Sequence, residues 1–267
     1  MLKKKVDFIG AGNVATRMAL GLHAAGVEIG RIASRDRNHA AALASEVGAT
    51  VADIGEIDGN DSDMVIIAVN DDAIGSILEK IRRPEGPAVY VHTAGSVPMQ
   101  VFDPEKFPDH GIFYPLQTMS RTLDVDWTRV PLFVESSSPR AGSVIDGFGR
   151  MLTSHITPLD SAQRARLHAA AVIGCNMAVY LWSLSEKVLN DTGLDFEVMR
   201  PLLDVTLERT RTLRPTDAMT GPARRGDLHT ISRHIESLPS DVAPVYALLS
   251  KAILQKYHPE ISISDNE

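Results

Sequence analysis

Three groups of residues in this 267-residue chain have types and spacings suited to chemistry. The first is Gly10-Ala11-Gly12-Asn13-Val14-Ala15, directly after the apolar run Val6–Ile9. In a strand–turn–helix context, Gly10 permits the tight turn and Gly12 lets backbone approach a diphosphate. The small Ala15 lets the helix lie close to its strand. Amides opening that helix near Asn13 then face phosphate oxygens, where the helix dipole favours negative charge. The second group is Ser34-Arg35. An NAD site would place an acidic residue there to hold the ribose hydroxyls. A hydroxyl and a guanidinium suit a 2′-phosphate instead, so NADP(H) rather than NAD is expected. Asp36 comes too late for that role and should cap the next helix, while Arg37 adds positive charge.

The third group is scattered. Val69-Asn70-Asp71 and His92-Thr93-Ala94-Gly95-Ser96 should line the same crevice from the ends of later strands. Asn70 and Thr93 suit the ribose or nicotinamide, Gly95 a close backbone approach, and Asp71-Asp72 a helix cap. "FYPLQTMS" holds Tyr114, Gln117, Thr118 and Ser120 in a loop. There the tyrosine and glutamine can orient a carbonyl or carboxylate, or the stretch is a proline-stiffened turn. His168, on a long helix, is either a general acid or a structural histidine, with Cys175 as packing and Asn176 on its flank. The catalytic candidates are therefore His168, Tyr114 and Gln117. In "TGPARRGDLHTISRHI", Arg224 and Arg225 suit an anionic substrate group or a salt bridge between subunits, and Asp227 suits a helix cap. No metal site is expected, and no H-E-x-x-H, nucleophile elbow or P-loop occurs.

The elements that must carry these residues follow from periodicity. Val6–Ile9, Ile29–Ser34, Met64–Val69 and Ala88–His92 read as strands, with further strands at Gly111–Tyr114 and Val130–Val134. Asn13–Ala25, His39–Val47, Ala73–Ile81 and Pro139–Leu152 read as helices. "DMVIIAVN" is a continuous apolar run, as in a parallel strand covered on both faces. The pattern predicts an α/β fold with a doubly wound parallel sheet. After Leu159 strand signals end, and helices are expected over 162–190, 196–213, 227–237 and 242–257. The expected domains are a nucleotide-binding 1–159 and an all-helical 160–267 for substrate and dimerisation.

Composition narrows the partners. Lys+Arg 27 against Asp+Glu 34 leaves a net charge of −7, which argues against nucleic acid or an anionic membrane. The single cysteine fits a reducing cytoplasm. The apolar stretch Ala169–Leu184 carries Asn176 and is shorter than the roughly 20 residues of a membrane span. With Val172, Met177, Tyr180 and Trp182 around its circumference, it predicts a homodimer interface.

The glycine turn together with "HTAGSVPMQVF", "GIFYPLQTMS", "LHAAAVIGCNMAVYLW" and "TGPARRGDLHTI" resembles one family across nearly the whole chain. Its members have a Rossmann-like domain and a helical C-terminal domain of unknown function. They are described as NADP oxidoreductases by likeness to deazaflavin-dependent enzymes. The layout is more distantly similar to pyrroline-5-carboxylate reductase, prephenate dehydrogenase and the β-hydroxyacid dehydrogenases. The resemblance implies a helical domain that dimerises and completes a site beside the nicotinamide. The β-hydroxyacid enzymes carry a lysine four residues before an asparagine on the long helix. Val172 stands there relative to Asn176, so their lysine mechanism does not carry over. The Ser/Thr-rich imine-binding stretch of the pyrroline reductases is likewise not evident. The expected activity is NADP(H)-dependent reduction of a carbonyl or imine on a small anionic molecule. The rival expectation is a non-catalytic dinucleotide sensor or regulatory dimer.

Overall fold

A computed structural model describes residues 4–261. These divide into two compact units, up to Val172 and from Ile173 onward. The expected boundary at 159/160 marks the last strand, whereas the compact unit keeps the next helix with the sheet.

The first unit holds an eight-stranded sheet in the order β3-β2-β1-β4-β5-β6-β7-β8. Its strands are β1 Lys5–Ile9, β2 Glu28–Ala33, β3 Thr50–Ala52, β4 Met64–Ile67, β5 Val89–His92, β6 His110–Pro115, β7 Leu132–Ser136 and β8 Ile156–Pro158. Its helices are α1 Asn13–Ala24, α2 Arg37–Val47, α3 Ile74–Lys80, α4 Pro139–Leu152 and α5 Ser161–Ala171. Strand order reverses direction at β1 and β4, the topological position where such sheets open a crevice at their carboxyl ends.

Alternation along the strands builds two cores. Val6, Phe8, Met64, Ile66, Val89 and Val91 face one, which Met18 and Leu22 of α1 and Phe148 of α4 complete. Ile9, Val65, Ile67 and Tyr90 face the other, with Ile74 and Ile77 of α3 and the rings of Phe102 and Phe107. Burial on both faces explains why β4 is apolar throughout rather than alternating. On α1 the buried Ala15, Met18, Ala19 and Leu22 follow helical spacing, so one stripe meets the sheet.

The expected doubly wound parallel sheet is present, with one antiparallel pair, β6 and β7. Between them runs a long connection whose only described helical piece is the single turn Trp127–Arg129. Without a crossover helix the chain doubles back, and pairing becomes antiparallel. The strands β3 and β8, three residues each, were not among the expected elements.

The second unit is helical throughout its described residues. It comprises α6 Ala178–Asn190, α7 Arg200–Thr212, the single turns α8 Pro215–Ala218 and α9 Pro222–Arg225, then α10 Leu228–Ser237 and α11 Ala243–Tyr257. Ala223, Ile231 and Leu254 form its small core. A π-helical stretch, Val172–Met177, interrupts the helical run Ser161–Asn190. By length and composition that run is apolar enough to cross a membrane, and it exposes Ile173, Met177, Val179 and Tyr180. Leu202, Val205 and Leu207 of α7 are exposed as well.

Candidate active site

The carboxyl ends of β1, β2 and β4 border a groove of about 1010 Å³. Its floor is the glycine turn, and the two glycines answer to different demands. Gly10 has φ +120°, and a Cβ there would lie 2.0 Å from the carbonyl oxygen of Ala68, so the chain itself requires glycine. Gly12 caps α1 with φ −81°, which any residue can adopt, and a Cβ there would meet nothing within 4 Å. Nothing in the protein requires glycine at that point, and the missing side chain leaves the turn's backbone open to the groove. The residues present therefore fit a dinucleotide diphosphate. Asn13 and Val14 open α1 beside it, and Ala15 is fully buried where α1 meets the sheet.

At the adenosine end, Ser34 and Arg35 line the groove. Arg35 is exposed and has no hydrogen-bond or ion-pair partner among the described residues. Asp36 caps α2 by accepting the His39 N–H at 3.0 Å, and that bond, aided by the charges of His39 and Arg121, holds its carboxyl below the usual range. It lines the groove as well, with its other carboxylate oxygen 2.9 Å from His39 Nδ1. Arg37 also lines the groove and pairs with Asp53 at 3.4 Å. Val69, Asn70 and Thr93 line the opposite wall.

Beyond Thr93 lies a polar cluster. The Tyr114 hydroxyl sits 3.1 Å from His168 Nδ1, in ring-edge contact, and the bond can be made in either sense. Burial, reinforced by the charge of Asp71, raises the Tyr114 pKa above its ordinary value, which keeps the phenol protonated at neutral pH. Asp71 in turn accepts from the Ser96 hydroxyl. A Cβ on Gly95 would come within 2.6 Å of His168 Nδ1, so the glycine makes room for the imidazole. His92, at the end of β5, is fully buried and accepts the Ala94 N–H on Nδ1. Burial, with the charge of Arg164, depresses its pKa to about 3, and it stays neutral.

A buried guanidinium anchors the helix that carries His168. Arg164 lies one turn earlier on α5 and donates to Glu135 Oε2 at 2.6 Å and to the Val97 carbonyl at 2.5 Å. Ser161 donates to the same Glu135 oxygen at 2.7 Å and accepts the Met99 N–H at 2.9 Å. The start of α5, itself closed by an Asp160–Gln163 capping box, is thus tied to β7 and to the loop after β5. Each of these ties bears on the orientation of the histidine.

Not every candidate joins the cluster. Gln117 is exposed and folds back to accept the Thr118 N–H at 2.8 Å. Cys175 and Asn176 are exposed in the π-helical stretch. Arg224 lies 4.3 Å over the Tyr257 ring, and Asp227 caps α10 by accepting from Thr230. Sequence reasoning passed over Asp71–Ser96 as a pair, Glu135–Arg164, and Arg121, which also lines the groove. The stretch singled out in that loop ended at Ser120, one residue short of it.

Comparisons with known proteins give the family. Residues 5–94 match the family of NADP oxidoreductases, coenzyme F420-dependent, and residues 130–253 match a domain of unknown function, DUF2520. A Bacteroides fragilis structure, designated a candidate NADP oxidoreductase, is 35% identical with a TM-score of 0.85, over 94% of this chain and 98% of its own. The chain belongs to this NADP oxidoreductase family. Remoter likenesses show the same fold. An Aspergillus terreus reductive aminase in complex with NADPH and ethyl-5-oxohexanoate has TM-score 0.71 at 16% identity, covering 95% of this chain and 94% of that one. A Myxococcus stipitatus imine reductase in complex with NADP+ has TM-score 0.62 at 12% identity, covering 96% and 93%. No curated protein matches the sequence.

Proposed function

We propose that this family member binds NADP(H) along the groove and reduces the carbonyl or imine of a small anionic metabolite. His168 and Tyr114 handle the proton in this reading. The carrying observation is the Tyr114–His168 pair, 3.1 Å apart, next to the glycine-floored groove. The bound cofactor supplies hydride, and the protein supplies binding, orientation and the proton. Gly12 and the α1 amides take the diphosphate; Ser34 and Arg35 take the 2′-phosphate. Thr93 and Asn70 border the ribose and nicotinamide end. As an oxygen or nitrogen gains negative charge, a neutral phenol hydrogen-bonded to an imidazole can donate to it and be reprotonated through the ring. The fold is shared with enzymes whose structures hold an oxo-ester or carry the name imine reductase, which favours C=O or C=N as the acceptor.

We further read the molecule as a cytoplasmic homodimer joined through its C-terminal helices, supported by the exposed apolar side chains of α6 and α7.

The test is NADPH consumption against a panel of oxo acids and cyclic imines, followed by His168→Ala and Tyr114→Phe. The expected loss for His168→Ala is about 10²- to 10⁴-fold in kcat with NADPH affinity unchanged. Undiminished turnover in both variants would sink the assignment. Tight NADPH binding with no turnover on any carbonyl or imine would favour the sensor reading instead.

A further inference from the structure

The segment between β6 and β7 crosses the groove, and its course is set by an unusual anchor. Arg17, on α1 and 7% exposed, sends its guanidinium to the Ser120 carbonyl at 2.7 Å, to the Arg121 carbonyl, and to Asp124 at 2.9 Å. The near end of the segment is fastened where the Leu116 N–H reaches the Pro131 carbonyl at 2.9 Å. At the far end the Trp127 indole lies where Gly21 has no side chain; a Cβ there would come within 2.3 Å of it. A strap held by α1 through Arg17 and at Gly21, and closed across its own base by the Leu116–Pro131 bond, is a built feature, not a loose loop.

At its crest the strap holds Arg121. One of its terminal nitrogens donates to the Ala11 carbonyl at 2.7 Å and lies 3.0 Å from His39 Nδ1. Ala11 sits between the two glycines of the turn, and His39 stands in the first turn of α2, just after Ser34 and Arg35. Arg121 therefore spans the two places where a dinucleotide presents phosphate. It has no carboxylate ion-pair partner among the described residues, and its other guanidinium N–H groups have no hydrogen-bond acceptor among them. The Asp36 carboxyl, 2.9 Å from the same imidazole nitrogen, feels this cation without bonding to it, and the remaining guanidinium donors stay available.

We propose that Arg121 is a phosphate-binding residue of the dinucleotide site, carried across the groove by the strap that Arg17 anchors. This rests on the reading of the groove as the NADP(H) site. The ligand chemistry is a phosphate oxygen of the cofactor, from either the diphosphate or the 2′-phosphate.

Calorimetric titration of the whole chain with NADPH and with NADH, for wild type, Arg121→Ala and Arg121→Lys, tests it. Arg121→Ala is expected to weaken NADPH binding by about tenfold to a hundredfold with the melting temperature held. Arg121→Lys should recover part of that loss, because a point charge keeps attraction but not the planar fork. Weakened NADPH with unchanged NADH places the 2′-phosphate on Arg121; equal weakening of both places the diphosphate there. Wild-type affinity should also fall more steeply with salt than that of Arg121→Ala. Unaltered affinities, or equal salt dependence in both proteins, would overturn the proposal and leave Arg121 a structural latch. Wild-type protein that binds neither dinucleotide would instead fell the groove reading itself, a distinct result.

Discussion

At the scale of single residues, the two glycines of the turn make opposite predictions. Gly10→Ala forces a side chain onto the Ala68 carbonyl at positive φ, and should cost at least about 1–3 kcal/mol, read as a lower midpoint in urea. Gly12→Ala should leave that midpoint unchanged while abolishing NADPH binding, since the added methyl meets only the groove. His92 makes a pH prediction. Its folded pKa of about 3 lies below the unfolded 6.5, so the unfolded chain binds the extra proton between them. Its contribution is complete above about pH 6.5 and is lost as pH falls toward 3, at up to about 1.4 kcal/mol per unit. His92→Asn, whose Oδ1 can replace Nδ1 as acceptor for Ala94, should flatten stability between pH 4 and 6 relative to wild type. An unchanged slope would show that other groups set it. Gly10, Gly12 and Ala15 were legible in the sequence because local spacing dictates their roles. Arg121 was not: its partner Ala11 is 110 residues away, and nothing local marks such a contact.

At the scale of elements, α5 is held by charge as much as by packing. Glu135→Gln would leave the Arg164 guanidinium buried without its carboxylate, an expected cost of about 3–5 kcal/mol in chemical denaturation. Because the same pair sets the helix that bears His168, kcat should fall beyond what the stability loss alone would leave folded. A folded variant with full kcat would separate the anchor from the chemistry. The strongly periodic elements α1, α4 and β4 were readable from the chain. The strands β3 and β8 are too short for alternation to show, and the reversal at β7 depends on a connection whose lack of a crossover helix no periodicity announces. The π-helical stretch is equally silent, since its residues carry the same apolar pattern as the α-helix around it.

At the scale of the whole molecule, the second unit leaves Tyr180 on α6 and Val205 on α7 more than half exposed, at 56% and 58%. Tyr180→Glu should convert a dimer to monomer in sedimentation velocity while far-ultraviolet dichroism stays constant. A wild-type monomer at micromolar concentration would dismiss the proposed pairing. The acidic net charge was legible from composition, whereas the division after Val172 was not, because α5 reads as the opening of the long apolar helix yet belongs with the sheet.

The bridge from Arg121 to Ala11 and His39 also has a consequence in time. On the proposed reading, the bridge lies over the turn that takes the diphosphate, and the strap that carries it is held to α1 by Arg17. Exchange of spent for fresh cofactor is then paced by the opening of that segment rather than by diffusion. The first turnover should outrun all later ones, and the burst should disappear once the strap is cut loose.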